Sequence, residues 1–492
     1  MRFDKQFLMK ALPNAILKYE NFPRYPNVST DSRTVTQDDI FVALKGKHVD
    51  GHDFITAALA NGAAGLIIEE AKVALLDQIS ADQLKDKLVI VVKDSLRALM
   101  RLATAWRDQF AYTVVGITGS VGKSSTKEIV RNILNEYGVP HYVSYGNQNS
   151  LIGASINVLK MRANHQVAVF ELGISARGEM AELVGIVKPT IAVITSIGHS
   201  HMAGLGALSD IAEEKRNIFK LFKEDNIGII NGDQMLLSQI GYTHPVIKFG
   251  SKTTNQIQAR KVRIVGAKTQ FTLKIYQQKF VDVKICGGHE GAVYNALAAA
   301  AVACLLNVPY NTIVKGIELP INLPGRFEIK TIAEGKGGSL IDDCYNASPE
   351  SVKAALLSFD RMSGDYKKVV VLSDMNELGV DAPFWHRQIG RLLCKLSSLD
   401  YLLLVGNHIK EVEKTLPIGL KATIVDDWET GLKYLQNKLK HEKLLILVKG
   451  STRGYTEGLA KLVGKLATPN KDLKPARVLV DESVAKKTVA TI

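Results

Sequence analysis

An apolar run, Val114 to Thr118, feeds the turn Gly119-Ser120-Val121-Gly122, and Lys123-Ser124-Ser125 follows at once. A buried strand delivering the chain to such a turn makes a phosphate cradle. Glycines let consecutive backbone N–H groups face one oxyanion, a lysine offsets phosphate charge, and a hydroxyl on the next residue helps hold magnesium. The expected ligand is a nucleoside triphosphate bound at Gly119, Ser120, Gly122, Lys123, Ser124 and Ser125. The spacing departs from the usual P-loop rule, because the position five before Gly122 is Ile117 and the available glycines are Gly116 and Gly119. Strand, turn, Lys-Ser-Ser and a helical continuation through Tyr137 nevertheless agree with one another.

In an open parallel sheet, ligands sit at the carboxyl ends of strands. Three further apolar runs end in suitable residues: Glu171 after VAVF, His201 after TIAVITSIGHS, and Asn231-Gly232-Asp233 after IGII. A carboxylate is the hard oxygen ligand that magnesium favours. Imidazole is an unusual one, so His201 reads equally as a structural histidine. Lys215, beside Glu213 and Glu214 in a helical segment, reads by default as a solvated lysine. Further on, Asp342-Asp343-Cys344-Tyr345-Asn346 closes another apolar run before Pro349 and Glu350 open a helix. The adjacent acids suit ribose hydroxyls or a substrate amine, with a helix-cap turn rich in Asp and Asn as the alternative. Arg326 is placed to reach back to a phosphate or to form a surface ion pair. Lys449 to Arg453, KGSTR, is either an anion nest or an ordinary turn between strand and helix.

The elements that must position these residues fall into three α/β groups. From about Ser29 to Lys93, short apolar runs alternate with Gly/Asp turns and the Ala-rich segment ITAALANGAAG, which predicts a small α/β domain over 1–106. A helix from Leu96 to Gln109 leads into the phosphate loop. The runs VAVFELG, TIAVITSIG and NIGIINGD, separated by helix-length segments, predict a mostly parallel sheet in a central domain over 107–322. Within it, VIKFG, QARKVRIVG, QFTLKIYQ and KFVDVKIC predict an antiparallel extension before an Ala-rich helix from about Ala292 to Leu306. After a hinge-like Leu323-Pro324-Gly325, the runs SLIDD, KVVVLSD, YLLLVG, ATIVDD and LLILVKG predict a third, Rossmann-like α/β domain over 323–492. Its polar tail begins at about 468.

The 492 residues are 46% hydrophobic and 23% charged, an ordinary globular balance long enough for several cores. The formal charge of +13 comes from basic residues scattered through all regions, with no dense Lys/Arg block and interleaved aromatics. That favours small polyanionic substrates over nucleic acid as partners. Cys286, Cys304, Cys344 and Cys394 lie far apart, without zinc or disulfide spacing, and read as reduced thiols. No eighteen apolar residues run together and the N-terminus lacks a signal-peptide pattern, so the expectation is a cytoplasmic protein with no transmembrane segment.

GITGSVGKSSTKE, GNQNSLIG, the ELG run, SIGHSH, AEEK, NALAAAA, PGRFE and DDCYNASPESVKAAL occur in the order found in the Mur ligases of peptidoglycan synthesis, and the resemblance spans nearly the whole chain. DDCYNASPES together with SDMNELG looks like the branch that joins D-alanyl-D-alanine to UDP-N-acetylmuramoyl-tripeptide. The DYAHTP-like and DNPR runs of the branch adding the third amino acid are absent. The resemblance implies a UDP-substrate domain at the N-terminus, where TDSRTV, FVALKG and DGHDF offer Ser32, Arg33, Lys45, Gly46, Asp50 and His52 as contacts. It implies ATP and Mg2+, with Lys123 and Ser124 at the phosphates and first metal, Glu171 and His201 at a second metal, and Lys215 as a carbamylated lysine. Lys123, Glu171, His201 and Lys215 become the catalytic candidates. Asn295, Arg326 and Asp342 become nucleotide contacts, with Asn149, Tyr345 and Asn346 as acceptor or closure candidates.

Three features depart from the family pattern, one of them the C-terminal lysine-glycine-serine run, which continues as Thr452-Arg453-Gly454 before a tail without a family counterpart. GNxNN reads Gly146-Asn147-Gln148-Asn149-Ser150, and an ungapped match puts Gly291 where the family histidine stands, leaving His289 as the adenine candidate. The implied reaction is ATP-driven amide formation through an acyl phosphate, by a monomer. The alternatives are another Mur-type or folylpolyglutamate-type ligase, which would share the central domain, and a nucleotide-binding regulator that has lost its chemistry.

Overall fold

The computed structural model describes residues 2–265, 268–276, 279–286, 289–321, 323–417, 419–420, 422–451 and 464–466. The polar tail and residues 452 and 453 of the KGSTR run lie outside them. Three open sheets follow one another along the chain.

The first has the strand order Ile16–Glu20, Leu88–Val92, Gly65–Glu69, Ile40–Val42, Val28–Ser29, and only its first pair is antiparallel. Leu88–Val92 is buried at every position. Parallel strands covered on both faces need continuous apolar runs of this kind. The helix Ser95–Arg107, capped by the Asp94 carboxylate on the Arg97 N–H, then carries the chain to the second sheet. Trp106 on its last turn donates from Nε1 to the Met161 carbonyl at 3.1 Å, and its ring meets Phe7 and Phe110 edge-on at 5.6 and 5.8 Å. One apolar cluster therefore runs from Phe3 and Leu8 through this helix to Met180 and Leu183. Trp106→Ala is expected to cost about 3–5 kcal/mol, as other buried aromatic truncations do. Its thermal unfolding midpoint should drop accordingly, and an unchanged midpoint would show that this ring does not join the two domains.

The second sheet has nine strands. Its parallel part runs Val246–Gly250, Ile227–Asn231, Ile191–Ile194, Thr113–Thr118, Val167–Glu171, His141–Val143. Alternate residues serve opposite cores. Val114, Ala168, Phe170 and Ile194 face the helices Leu151–Val158 and Glu179–Val187, whereas Val115, Ile117, Val169 and Val193 face Lys123–Tyr137 and Glu290–Leu305. The reading of VIKFG as antiparallel is corrected: Val246–Gly250 pairs parallel with Ile227–Asn231. The connection includes the helix Met235–Ser238 and returns as a crossover rather than a hairpin. Ile257–Val265, Lys268–Ile275 and Lys279–Cys286 do form the antiparallel extension at one edge.

The third sheet has the order Glu328–Ile332, Gly338–Asp343, Leu444–Lys449, Lys367–Ser373, Tyr401–Val405, Ala422–Val425, parallel except for its first pair. The edge strand Glu328–Ile332 is an addition to the elements expected from sequence. Among the described residues no helix is long and apolar enough to cross a membrane.

Candidate active site at the phosphate loop

Strand Thr113–Thr118 ends in a loop whose two glycines are required by its shape. Gly119 has φ +149° and Gly122 φ +91°. A Cβ on the first would stand 1.9 Å from Thr195 Oγ1, and on the second 2.2 Å from Asn295 Oδ1. The helix Lys123–Tyr137 begins without a side-chain cap on its amides. An uncapped N-terminus of this length presents N–H groups and a partial positive charge to the loop. Gly122→Ala combines a positive φ with a collision. It is expected to lower stability by about 1–3 kcal/mol and to weaken nucleotide binding; equal nucleotide affinity by calorimetry would show that the cradle does not need this glycine.

Ser120 is tied to the neighbouring strand end. Its N–H donates to the Ser196 carbonyl at 2.8 Å and its Oγ to the Gly198 carbonyl at 2.9 Å. Ser125 lies on the first helical turn, partly exposed.

Two amines converge on one carbonyl. Lys123 Nζ donates to Gly119 O at 2.8 Å, and Lys215 Nζ to the same oxygen at 3.2 Å. Lys215 is 1% exposed, so the solvated reading is corrected: helix Leu208–Arg216 turns it inward, toward the phosphate loop. Burial pushes its pKa well below the usual lysine value and the charge of Lys123 pushes the same way, against weaker pulls from Glu377 and Glu214. Burial lowers Lys123 as well, opposed chiefly by Glu171. A site with two cations and little solvent favours negative charge from a ligand.

Glu171, buried at the end of Val167–Glu171, accepts from Ser124 Oγ at 2.7 Å and from Asn149 Nδ2 at 2.8 Å. Ser124 and Glu171 are thus adjacent hard oxygen donors at the loop's mouth, the set magnesium takes when phosphate oxygens and water complete its shell. Among the described residues no three His, Cys, Asp or Glu gather into a metal cluster. His201 has Nδ1 3.1 Å from Glu377 Oε2, on the SDMNELG loop of the third domain. Its backbone is left-handed, φ +60°, at the start of Met202–Leu205. Asn295 packs on Gly122 and lies 3.5 Å from Thr126 Oγ1.

The third domain reaches this loop directly. Arg326 Nη2 donates to Ser124 Oγ at 2.9 Å, and its guanidinium stacks 4.1 Å from the Tyr345 ring centroid. The Tyr345 hydroxyl accepts from Asn147 Nδ2 at 2.8 Å. Asp342 is held by Lys330 Nζ at 2.7 Å, on its own sheet. The Asn346 carbonyl accepts from Lys449 Nζ at 2.7 Å, and its Oδ1 from Ser451 Oγ at 2.9 Å. His289 caps Glu290–Leu305, accepting at Nδ1 from the Ala292 N–H, with Phe327 5.8 Å away; burial lowers its pKa.

Sequence reasoning gave no role to Lys127, His199, Glu350 or Glu377. Lys127 is fully buried, donates to the Ser144 and Gly146 carbonyls, and lies 3.9 Å from Glu171 Oε2. Its spacing of one helical turn from Lys123 was the available signal. His199 Nδ1 meets Glu350 Oε1 at 2.6 Å across the domain junction, for which no local pattern exists.

The N-terminal candidates lie in the first domain. Arg33 is exposed and forks onto Asp31, holding that carboxyl down at about 2. Lys45 pairs with Asp50 in an isolated bridge, and the Gly46 N–H donates to the Val49 carbonyl. Asp50 carries the His52 ring at 2.7 Å and Lys72 at 3.0 Å. Burial opposes its ionisation, yet these bonds lower its pKa. His52 Nε2 accepts from the Glu69 N–H, so both ring nitrogens bind within the fold. Ser32 is buried, its carbonyl accepting from Asn61.

A strand-borne glycine loop, a lysine pair and an arginine from a following Rossmann-like domain come together here, and the class they fit is a nucleotide-dependent enzyme. Residues 24–107 match the Mur ligase family catalytic domain, 117–303 the Mur ligase middle domain, and 325–452 the Mur ligase glutamate ligase domain. The UDP-N-acetylmuramoyl-tripeptide–D-alanyl-D-alanine ligase of Bacillus subtilis is 36% identical over 74% of this chain and 77% of its own. A MurF structure from Acinetobacter baumannii superposes with TM-score 0.80 at 28% identity, covering 94% of this chain and 99% of that one. The Thermotoga maritima MurF ligase in complex with ADP gives TM-score 0.74 at 28% identity over 90% and 97%. The chain belongs to the Mur ligase family.

Proposed function

We propose that this protein is an ATP-dependent ligase, working in the cytoplasm, that joins the terminal carboxylate of UDP-N-acetylmuramoyl-tripeptide to the amine of D-alanyl-D-alanine; the two substrates are those in the names of its relatives. The observation that carries the reading is the Arg326–Ser124 contact, through which the third domain reaches the phosphate loop of the second. A nucleotide-binding regulator has no need of that bridge; a ligase must bring ATP, one carboxylate and one amine to a single point.

The tripeptide carboxylate oxygen attacks the γ-phosphorus and ADP leaves. The amine, having lost its proton, then adds to the acyl phosphate, and the tetrahedral intermediate expels inorganic phosphate. No enzyme nucleophile is required. Lys123 and Arg326 offset the repulsion between carboxylate and triphosphate, and the uncapped helix N-terminus holds phosphate oxygens. Ser124 and Glu171 would hold magnesium, with His201 at a second ion; bound there, the metal supplies Lewis-acid neutralisation of phosphate charge. Asn149 orients the Glu171 carboxylate. Carbamylation of Lys215 would replace one of two clustered cations by an anion. A divide at 106/107 and 322/323 gives each substrate its own body: the nucleotide handle in the first, ATP in the second, the acceptor at the third. Binding energy at the distant UDP handle then orients the reacting carboxylate. Asp342 and Asn346, held on the third sheet, are proposed to meet nucleotide and acceptor from that side.

Phosphate release with ATP and magnesium should require both UDP-N-acetylmuramoyl-tripeptide and D-alanyl-D-alanine, with a UDP-pentapeptide found by mass. Turnover with another amine in place of the dipeptide would retain the ligase chemistry and remove the substrate assignment.

A further inference from the structure

Between Ile257 and Cys286 the sequence carries seven lysines and arginines against one aspartate, in a chain whose whole formal charge is +13. Their spacing looks scattered; the antiparallel extension gathers them. Phe271, Leu273, Ile275, Val283 and Ile285 point into the core. Strand alternation therefore puts Lys268, Gln270, Thr272 and Lys274 on the opposite face, and the pairings Thr272↔Asp282, Lys274↔Phe280, Gln270↔Lys284, Arg260↔Thr272 and Arg263↔Gln270 add their partners to it. Among the described residues Arg260, Lys261, Arg263, Lys268 and Lys284 form no ion pair. Asp282, the one acid, accepts from Thr272 Oγ1 at 2.8 Å.

The face is also indented and greasy at one point. A cavity of about 690 Å³ is lined by Thr253, Arg260, Lys261, Thr272, Phe280 and Asp282. Phe280 is 60% exposed, and Val262 on the first of these strands and Tyr276 in the turn after the second are each 41% exposed. Lys274 Nζ lies 5.6 Å from the Phe280 centroid, so one face of that ring already carries a cation. A ring so covered is poorly placed to stack a nucleic-acid base, which needs an open π face. Cations around exposed aromatic and aliphatic groups, with hydroxyls beside a shallow cavity, instead match a surface of phosphate headgroups over an apolar layer.

We propose that this face docks the protein reversibly on a membrane surface rich in anionic phospholipid. A headgroup phosphate sits in the cavity between Arg260 and Lys261 with the hydroxyl of Thr253, and Phe280 enters the interface. The face lies on the sheet edge remote in strand order from Thr113–Thr118, so docking leaves the phosphate loop untouched.

The test uses the full chain with sedimenting vesicles of phosphatidylcholine alone or with about one third phosphatidylglycerol, at low and at 0.5 M salt. Binding is expected only to the anionic vesicles and to fall steeply with salt. The double variant Arg263→Glu/Lys284→Glu should bind about tenfold or more weaker, since each lost cation is worth several-fold at an anionic surface, and Phe280→Ser should bind severalfold weaker. Ligase activity of all variants without vesicles should stay at the wild-type level. Equal binding to neutral vesicles, no binding by the wild type, or full binding by the double variant would overturn the proposal. Tighter salt-sensitive binding to a single-stranded RNA 20-mer than to anionic vesicles would overturn it in favour of nucleic acid. The salt and lipid comparisons use wild-type protein, so they decide the matter even if a variant fails to fold.

Discussion

Lys123→Ala is expected to lower ATP turnover by about a thousandfold while leaving affinity for the UDP-linked substrate within about threefold of the wild type. The argument is electrostatic. Two polyanions must approach, and the groups positioned to offset their repulsion are Lys123, Arg326 and the bare amides of Lys123–Tyr137. Lys123 is the one whose amine already lies on the phosphate loop, 2.8 Å from Gly119 O. The same residue adds little to the fold: burial depresses its pKa, so the ligand-free protein gains nothing from its charge. The variant should therefore unfold at or above the wild-type temperature. Calorimetric binding of the UDP substrate, phosphate release and thermal unfolding together check the claim. A parallel loss of UDP-substrate binding, or a large loss of stability, would show that Lys123 supports the structure rather than the phosphoryl transfer.

Much of this site was legible because its signals are local. A strand, two glycines and Lys-Ser-Ser need only neighbours in sequence, and Glu171 announces itself at the end of an all-buried strand. The sheets were legible for the same reason, since parallel strands covered on both faces leave uninterrupted apolar runs such as LVIVV and VVVL. What escaped was set by pairing and by contact between domains. VIKFG alternates like an antiparallel strand, and only the crossover before it fixes its direction. Lys215 sits in an acidic, helical segment that reads as solvated; its burial depends on where that helix lies against the phosphate loop. His199 and Glu350 are 151 residues apart and meet only when the third sheet docks on the second. The basic face of the extension is invisible along the chain because its cations alternate with core residues on separate strands.

The third domain docks through polar contacts beside a small apolar patch, where Met202 packs against the third domain's core and the Trp385 ring lies 4.2 Å from that of His199. Glu350 Oε1 accepts both the ring Nδ1 and the backbone N–H of His199, Glu377 meets His201, Tyr345 meets Asn147, and Arg326 meets Ser124. Polar contacts of this kind separate more readily than a packed core. They also converge on the ends of the strands Thr113–Thr118, Ile191–Ile194 and His141–Val143 and their following loops, where ATP is proposed to bind.

Lys215→Arg and Lys215→Ala are both expected to lose about a hundred- to a thousandfold in turnover, a scale set by removal of one preorganised charge at a transition state. The reason is chemical. Capture of carbon dioxide needs a neutral amine, and burial together with Lys123 holds the Lys215 amine toward that form. The product is an anion that relieves the clash of two lysines on one carbonyl oxygen and presents a carboxylate-like group toward Lys123. Arginine keeps the cation but cannot form the carbamate, so it separates charge from chemistry. The alanine variant leaves room for a small carboxylate, and formate or acetate should restore part of the lost rate in a saturable manner. Wild-type protein in 13C-labelled bicarbonate should show a carbamate carbon resonance absent from both variants. Because the neutral fraction of the amine rises with pH, activation by bicarbonate should strengthen as pH rises, up to the limit set by loss of dissolved carbon dioxide. Full activity of Lys215→Arg would remove the carbamate from the mechanism and leave Lys215 as a plain cation beside the phosphates.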